Sequence, residues 1–158
     1  MRVMTWTHDT FDDPTWPIVV DGENSRREGD LKSALSAFST AIAAFTDSTS
    51  DRVQVETYIC RGVAHAQNGD EDHAISDYSA AIDLDPKRAL AYFNRGCAYE
   101  RVSQEDRAIE DFDRVIELRP DNPDAYIIRG GLLKRRGQLD EAQADFAMVR
   151  TINNDTNT

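Results

Sequence analysis

The chain is short of cysteine, of basic residues and of long apolar stretches, and each shortage excludes a class of protein. Its 158 residues include two cysteines, Cys60 and Cys97, too few for a disulfide framework. Only 18 Lys and Arg residues stand against 29 Asp and Glu residues, which gives a net charge of −11. Because nucleic-acid binding depends on neutralising phosphates with Lys and Arg, we expect no nucleic-acid partner.

No apolar stretch approaches the ~20 residues needed to span a bilayer, so we expect no membrane partner. Residues 1–13 also lack the apolar run of a secretory signal. A cytoplasmic location is therefore the expectation, although a leader removed earlier would leave no trace in the chain. In that compartment Cys60 and Cys97 are expected to be two thiols, with a disulfide between them as the open alternative.

The sequence also lacks the clustered groups that catalysis requires. Its histidines are His8, His65 and His73, and none forms a closely spaced zinc signature with the cysteines. We expect His65 to pack in the core and His73 to be exposed. No segment resembles a strand followed by a Gly-rich phosphate loop, and no carboxylate stands in the apolar setting that raises the pKa of a catalytic acid. We therefore predict a non-enzymatic protein with no catalytic residue, no cofactor and no metal site.

What the chain does contain is a repeat. The pattern Tyr-x-x-Arg-Gly occurs three times at a spacing of 34 residues, with its glycines at Gly62, Gly96 and Gly130. The same spacing separates two further columns, Ala74, Ala108 and Ala142 and the aromatic residues Tyr78, Phe112 and Phe146. A helix–turn–helix repeat of about this length stacks on its neighbours, so the period predicts an all-α solenoid.

Four repeats follow from this spacing, at about residues 15–48, 55–88, 89–122 and 123–154. The first repeat is degenerate, and it matches the second only at a step of 40 residues because the polar stretch 46–51 lengthens the loop between them. Residues 1–14 precede the repeats as an N-terminal arm, and residues 155–158 follow them as a polar tail.

Each repeat is predicted to contain one turn, which separates its two helices. In the second repeat Gly69 suits the left-handed end of one helix and Asp70 suits the start of the next. The predicted helices there are 55–68 and 70–84. The third repeat has Ser103 where the second has Gly69, so we expect a less comfortable turn.

This pattern resembles the tetratricopeptide repeat (TPR) family over roughly residues 15–154. The resemblance implies a right-handed superhelix of antiparallel helix pairs, whose first helices line a concave groove. In the family that groove usually holds a peptide or a segment of another protein, so the resemblance implies a protein–protein interaction module or scaffold. Some members bind acidic chaperone tails through a clamp of Lys, Asn and Arg. The aligned residues here are Ile59, Val63, Asn94, Asp124 and Ile128. Only Asn94 fits that clamp, so we expect no chaperone-tail binding of this kind.

Helical spacing predicts which residues line the groove. The candidate peptide-binding residues are Ile59, Cys60, Val63, Leu90, Phe93, Asn94, Cys97, Arg101, Ile127 and Lys134. Most are apolar, with Phe93, Ile59 and Ile127 as central anchors, and Gly131 leaves room in the floor. A basic rim is expected from Arg26, Arg27, Arg101, Lys134 and Arg135. The ligand that matches is a segment with hydrophobic and acidic residues.

Two alternatives to a peptide-binding groove stay open. The apolar residues can serve only to pack the first helices together, with the basic residues complementing the helix macrodipole. Alternatively, the arm fills the groove or covers the first repeat through Trp6 and Phe11. A different function is also open, in which the protein is a structural unit that assembles through its arm or through the ends of the solenoid.

The ends of the array carry their own pattern. The last repeat has Gln143 and Arg150 where earlier repeats present leucine or isoleucine to the next repeat, so we expect a polar outer face that caps the array. Ala147 and Ile152 leave a modest apolar patch there, which predicts weak self-association.

Three Arg–Asp pairs are predicted to join the two helices of a repeat. The pairs are Arg61 with Asp77, Arg95 with Asp111, and Arg129 with Asp145. The first repeat has Asp21 and Ala37 at these positions and so lacks both members. An Arg fork on a carboxylate has a defined geometry, so we expect these structural ion pairs to set the helix register more than to add stability.

Overall fold

The computed structural model describes residues 13–155, and the part of the chain that it describes contains helices and no strand. The helices are α1 (Trp16–Arg27), α2 (Leu31–Ala43), α3 (Asp51–Gln67), α4 (Glu71–Leu84), α5 (Ala89–Arg101), α6 (Glu105–Leu118), α7 (Pro123–Arg135) and α8 (Leu139–Asp155). The chain divides into two compact units, an N-terminal unit of residues 1–86 and a C-terminal unit of residues 87–158. No helix of the described residues is both long enough and apolar enough to cross a membrane.

Consecutive helices pack as pairs in both units. In the N-terminal unit α1 packs on α2 and α3 on α4, while α3 also contacts α1 and α2. In the C-terminal unit α5 packs on α6 and α7 on α8, and α6 contacts α7. The arm and the tail that the sequence predicts lie outside the described residues, apart from residues 13–14 and Asp155.

Local chemistry explains most of the helix ends. Gly29, Gly69 and Gly137 adopt φ values of +85°, +77° and +80°, which glycine reaches without steric cost. The following residue caps the next helix in the second repeat, where Asp70 accepts a hydrogen bond from the His73 amide. The third repeat must place Ser103 at φ 60°, so the strained turn predicted there is confirmed.

One helix begins earlier than the sequence analysis predicted. Helix α3 begins at Asp51 rather than at residue 55. The side-chain oxygen of Ser50 accepts a hydrogen bond from the Val53 amide at 3.4 Å and so caps the helix four residues upstream. The extra turn buries Val53, which lies between the predicted loop, 46–51, and the predicted start of the helix.

The repeated glycines and aromatic residues pack against each other within a repeat. A Cβ atom on Gly62 would lie 2.6 Å from Cε1 of Tyr78, and one on Gly130 would lie 3.0 Å from Cε1 of Phe146. These distances confirm that glycine is present because the second helix approaches closely. Phe38 and Phe112 make the same contact with Gly22 and Gly96, and each is part of the hydrophobic core of its unit.

Candidate functional site

In the N-terminal unit, the predicted groove residues are less accessible than expected. The Ile59 side chain is 2% exposed and Cys60 is 5% exposed, while Val63 is half-buried. Ile59 was predicted to be a central anchor for a partner, and that prediction was wrong. Helical spacing identifies the face of α3 on which Ile59 lies but not how deeply that face is buried, and α3 packs against α1, α2 and α4.

A small pocket does open beside Cys60, against α1. Its volume is about 80 Å³, well below the ~300 Å³ of a typical small-molecule site. The residues that line it are Trp16, Val19, Val20, Glu23, Asn24, Arg27 and Cys60. The pocket is therefore of a size for one side chain rather than for a metabolite.

The charges at this pocket are paired within the protein. Glu23 accepts hydrogen bonds from Arg26 Nη2 at 2.6 Å and from Arg27 Nε at 3.0 Å. Burial raises the pKa of Glu23, but the hydrogen bonds and positive charges of the two arginines outweigh it, and the pKa is lowered overall. Burial raises the pKa of the Cys60 thiol to about 12, so Cys60 is a neutral thiol at the pocket wall.

The first helices of the C-terminal unit present a more accessible apolar face, which we call the α5/α7 face. Its members are Leu90, Phe93 and Cys97 on α5 and Ile127 and Gly131 on α7. Leu90 is 41% exposed and Ile127 is 47% exposed, whereas Phe93 and Cys97 are half-buried. A Cβ atom on Gly131 would meet nothing within 4 Å, so the space expected at this glycine is present.

Phe93 is more a core residue than an anchor. Its ring meets the ring of Phe112 edge-on, with the centroids 5.7 Å apart, and it packs against the core of the C-terminal unit. Asn94, on the same helix, is also half-buried. The side chains that a partner can reach most readily on this face are therefore Leu90 and Ile127.

The predicted basic rim is partly neutralised. Arg135 donates hydrogen bonds to Glu100 and Glu105, both at 2.9 Å, and Arg26 and Arg27 are held by Glu23. Arg101 and Lys134 are exposed at the C-terminal ends of α5 and α7. The position of basic residues at helix ends, which is all the sequence shows, does not reveal the carboxylates that bind them.

The three predicted Arg–Asp pairs are each in contact, with two parallel hydrogen bonds. The Nε and Nη2 atoms of Arg61 donate to Asp77 at 2.8 and 2.7 Å. The corresponding distances are 2.9 and 2.8 Å from Arg95 to Asp111, and 2.9 and 2.6 Å from Arg129 to Asp145. Each aspartate is 4% exposed. Burial raises the pKa of Asp111 despite the hydrogen bonds and charge of Arg95, which fits a pair that positions the helices at a desolvation cost.

The guanidinium groups also reach the preceding repeat, which the sequence analysis did not predict. Arg61 Nη1 donates to Ser39 Oγ on α2 at 3.3 Å. Arg129 Nη1 donates to Asp113 Oδ1 on α6 at 2.6 Å. Ser39 and Asp113 occupy equivalent positions, one residue after the core aromatic of a second helix. The signal was therefore present in the sequence as a third polar column beside the Arg and Asp columns.

Comparison with known proteins places the chain among helical repeat proteins. Two family models, both described as tetratricopeptide repeat, match residues 61–132 and residues 23–89. No curated protein matches the chain.

Several solved structures share the fold. A crystal structure of MamA has a TM-score of 0.83 at 22% identity, over 90% of this chain and 80% of that one. A tetratricopeptide repeat protein from Parabacteroides merdae has a TM-score of 0.82 at 18% identity, over 89% of this chain and 54% of that one. The second TPR domain of Spaghetti (RPAP3), solved bound to the HSP90 peptide SRMEEVD, has a TM-score of 0.60 at 29% identity, over 63% of this chain and 92% of that one. The all-α solenoid class predicted from the repeat period is confirmed.

Proposed function

Because the chain belongs to the tetratricopeptide repeat family, we propose that it is a non-enzymatic module that binds a segment of another protein. The observation that carries this proposal is the exposure of Leu90 and Ile127 on the α5/α7 face. When a partner covers exposed aliphatic side chains, the free energy of binding gains about 25 cal/mol per Å² of apolar surface removed from water. The site is therefore proposed to take hydrophobic side chains of an extended or helical segment.

Charge supports an acidic component in that segment. Lys134 is exposed near the C-terminal end of α7, one of the two helices that form the α5/α7 face. Elsewhere the chain is strongly acidic, with a net charge of −11, so an acidic segment is repelled by most of the surface and attracted at this place. Long-range attraction of this kind raises the association rate and selects orientation.

The peptide bound by the Spaghetti domain, SRMEEVD, also combines an apolar residue with acidic residues. That similarity supports the proposed class of ligand, but it does not indicate that this protein binds the same peptide. Of the family's carboxylate-clamp positions only Asn94 carries a matching residue here, so a free C-terminal carboxylate is not proposed as the anchor.

The pocket between α1 and Cys60 is proposed as a second contact point, suited to one apolar side chain. Trp16 and Val19 form its apolar wall, and Val20 is 37% exposed beside it. The ion pairs of Glu23 with Arg26 and Arg27 leave little free charge there. We expect selectivity at this pocket to depend on the size of the inserted side chain rather than on its charge.

The test is a selection from a random peptide library displayed on phage, followed by affinity measurement with fluorescent peptides. Enriched peptides should carry hydrophobic residues with acidic neighbours. Leu90→Glu and Ile127→Glu should each weaken binding at least tenfold, because a carboxylate replaces the apolar contact and repels acidic residues. Both side chains are well exposed, so neither change disturbs the core as Phe93→Glu would.

The matched control is Met148→Glu on α8. Met148 is 42% exposed, close to the exposure of Leu90, and this change adds the same charge on another helix. Equal affinity of wild type and Met148→Glu, with loss in the two α5/α7 variants, supports the proposed site. Failure to enrich any peptide, or enriched peptides that bind all variants equally, contradicts it.

Self-assembly is a second candidate, favoured by one observation on α8. Leu139 is 61% exposed and Met148 is 42% exposed, although Gln143 and Arg150 on the same helix are exposed as the predicted polar cap requires. If α8 is an interface between copies, the mass measured by light scattering should rise with concentration and fall in Leu139→Glu. A constant monomer mass excludes this alternative. The cytoplasmic location expected from the sequence stays a prediction.

A further inference from the structure

Two histidines and an aspartate meet at the turn between α3 and α4. His65 lies in the last turn of α3, Asp70 caps α4, and His73 lies in the first turn of α4. Asp70 Oδ1 is 2.8 Å from His73 Nδ1, and Asp70 Oδ2 is 3.4 Å from His65 Nδ1. The imidazole rings stack with their centroids 5.0 Å apart. One carboxylate thus faces a nitrogen atom of each ring.

The capping of α4 does not account for His65. Its Nδ1 atom is shielded from solvent and has no hydrogen-bond partner, although an Asp70 oxygen lies 3.4 Å away. Buried polar atoms are nearly always satisfied, so a lone one calls for an explanation such as an ion or a water at the site. This nitrogen belongs to one cluster with the ligand atoms of Asp70 and His73.

We propose that His65, Asp70 and His73 bind a divalent transition-metal ion of the Zn²⁺ type. Imidazole nitrogen and carboxylate oxygen are ligands that Zn²⁺ and its first-row neighbours accept together. Ca²⁺ and Mg²⁺ require mostly oxygen ligands and are disfavoured by a set with two nitrogens. Three protein ligands leave a fourth tetrahedral position for water.

The spacing of the ligand atoms fits such an ion after a small movement. The three atoms lie within 4.8 Å of one another. With metal–ligand bonds of about 2.1 Å, the ligand atoms of a tetrahedral site lie about 3.4 Å apart. The side chain of His73 is 70% exposed, whereas that of His65 is 17% exposed. His73 is therefore free to turn toward an ion that His65 and Asp70 hold in place.

The equivalent turn of the third repeat has different side chains, Tyr99, Gln104 and Arg107, at the positions of His65, Asp70 and His73. Arg107 lies over the Tyr99 ring, 5.6 Å from its centroid, and donates to Gln104 Oε1 at 2.9 Å. There the protein places its own cation between the end of one helix and the start of the next. In the second repeat the three side chains carry metal-ligand atoms instead, so a bound cation would make the corresponding link between α3 and α4.

A search for histidines close to cysteines does not find this cluster, so the sequence predicted no metal site. The ligands here come from both sides of a Gly turn, and the third is an aspartate with a capping role. The spacing His-x4-Asp-x2-His, read together with a helix–turn–helix prediction, was the available signal.

The test is calorimetric titration of the untagged full chain with Zn²⁺ in a buffer that does not bind the metal, with Co²⁺ absorption as the second measurement. We expect one equivalent of Zn²⁺ to bind. His73→Gln and Asp70→Asn each remove a proposed ligand and should weaken binding at least as much as the roughly 10- to 100-fold that follows loss of an outer-shell partner. Asn caps a helix as well as Asp does, and His73 is exposed, so both variants should fold. Circular dichroism checks this.

The control is His8→Gln, which removes the remaining histidine and should leave the affinity unchanged. Bound Co²⁺ should show visible d–d bands without the charge-transfer band of a cobalt–thiolate bond, which excludes Cys60 and Cys97 as ligands. No saturable binding, binding that His73→Gln leaves unchanged, or several weak equivalents spread over the acidic surface would each overturn the proposal.

Discussion

Arg129 donates a hydrogen bond to Asp113 across the boundary between two repeats, with 2.6 Å between Nη1 and Oδ1. The same guanidinium holds Asp145 of its own repeat with its other two nitrogens. Together these contacts raise the pKa of Arg129, with the Asp145 hydrogen bond as the largest cause. One side chain therefore fixes α7 against α8 and against α6.

The two carboxylates bound by Arg129 should differ in their contribution to stability. Asp145 is buried, while the side chain of Asp113 is 50% exposed. Asp145→Ala should lower the free energy of unfolding by about 2–3 kcal/mol, because it leaves a largely buried guanidinium short of a partner. Asp113→Ala should cost under about 1 kcal/mol, since solvent screens that pair. Urea unfolding measures both, and equal losses would contradict the assignment.

A double-mutant cycle tests whether the pairs act as pairs. Arg95→Ala and Asp111→Ala, alone and together, should give a coupling free energy above about 0.5 kcal/mol. If the two losses of unfolding free energy are additive, the side chains contribute independently and the bidentate contact does not couple them.

Alanine substitution at two glycines of first helices should change the free energy of unfolding in opposite directions. Gly62→Ala places a Cβ atom where Tyr78 Cε1 is 2.6 Å away, so we expect a loss of about 1–3 kcal/mol from overpacking. Gly131→Ala meets nothing within 4 Å and should gain up to about 1 kcal/mol from helix propensity. Chemical denaturation of both variants gives the comparison. A gain at Gly62 would mean that the tyrosine ring moves aside freely.

The strained turn of the third repeat should be improvable. Ser103 adopts φ 60°, a conformation that costs a residue with a side chain roughly 1–2 kcal/mol. Ser103→Gly should therefore raise stability by up to about 1 kcal/mol, after the greater entropy of glycine in the unfolded chain is deducted. The reverse change in the second repeat, Gly69→Ser, should destabilise. A thermal melt that shows no difference for either variant would contradict the strain.

The two thiols should differ in reactivity. Burial raises the pKa of Cys60 to about 12, so at pH 8 only about one molecule in 10,000 carries the reactive thiolate. Cys97 is half-buried and neither residue is in a disulfide. Alkylation with iodoacetamide, followed by mass spectrometry of the peptides, should label Cys97 first. The difference should disappear in denaturant, and equal rates in the native protein would contradict the burial of Cys60.

The sequence predicted the helices of this fold and their repeated contacts better than it predicted the burial of individual side chains. The glycine, aromatic, Arg and Asp columns depend on contacts inside one repeat, and a repeated sequence reports those contacts directly. The burial of Ile59 depends on the tertiary packing of α3, which the repeat period does not contain. The link from Arg129 to Asp113 joins two repeats, and its polar column follows the core aromatic residues without showing which repeat supplies the partner. The His65 cluster uses residues present in only one repeat, so the period contains no sign of it.

The repeated Arg–Asp arrangement bears on how such a chain can change in length. Each regular repeat carries both members of its own pair, so a 34-residue segment that is duplicated or deleted takes a donor and its acceptor with it. No buried charge is left without its counterpart by such an event, and the aromatic–glycine contact is likewise complete within the segment. The ion pair inside each repeat is thereby independent of repeat number, and only contacts across a boundary, such as that of Arg129 with Asp113, change when a neighbour is added or lost.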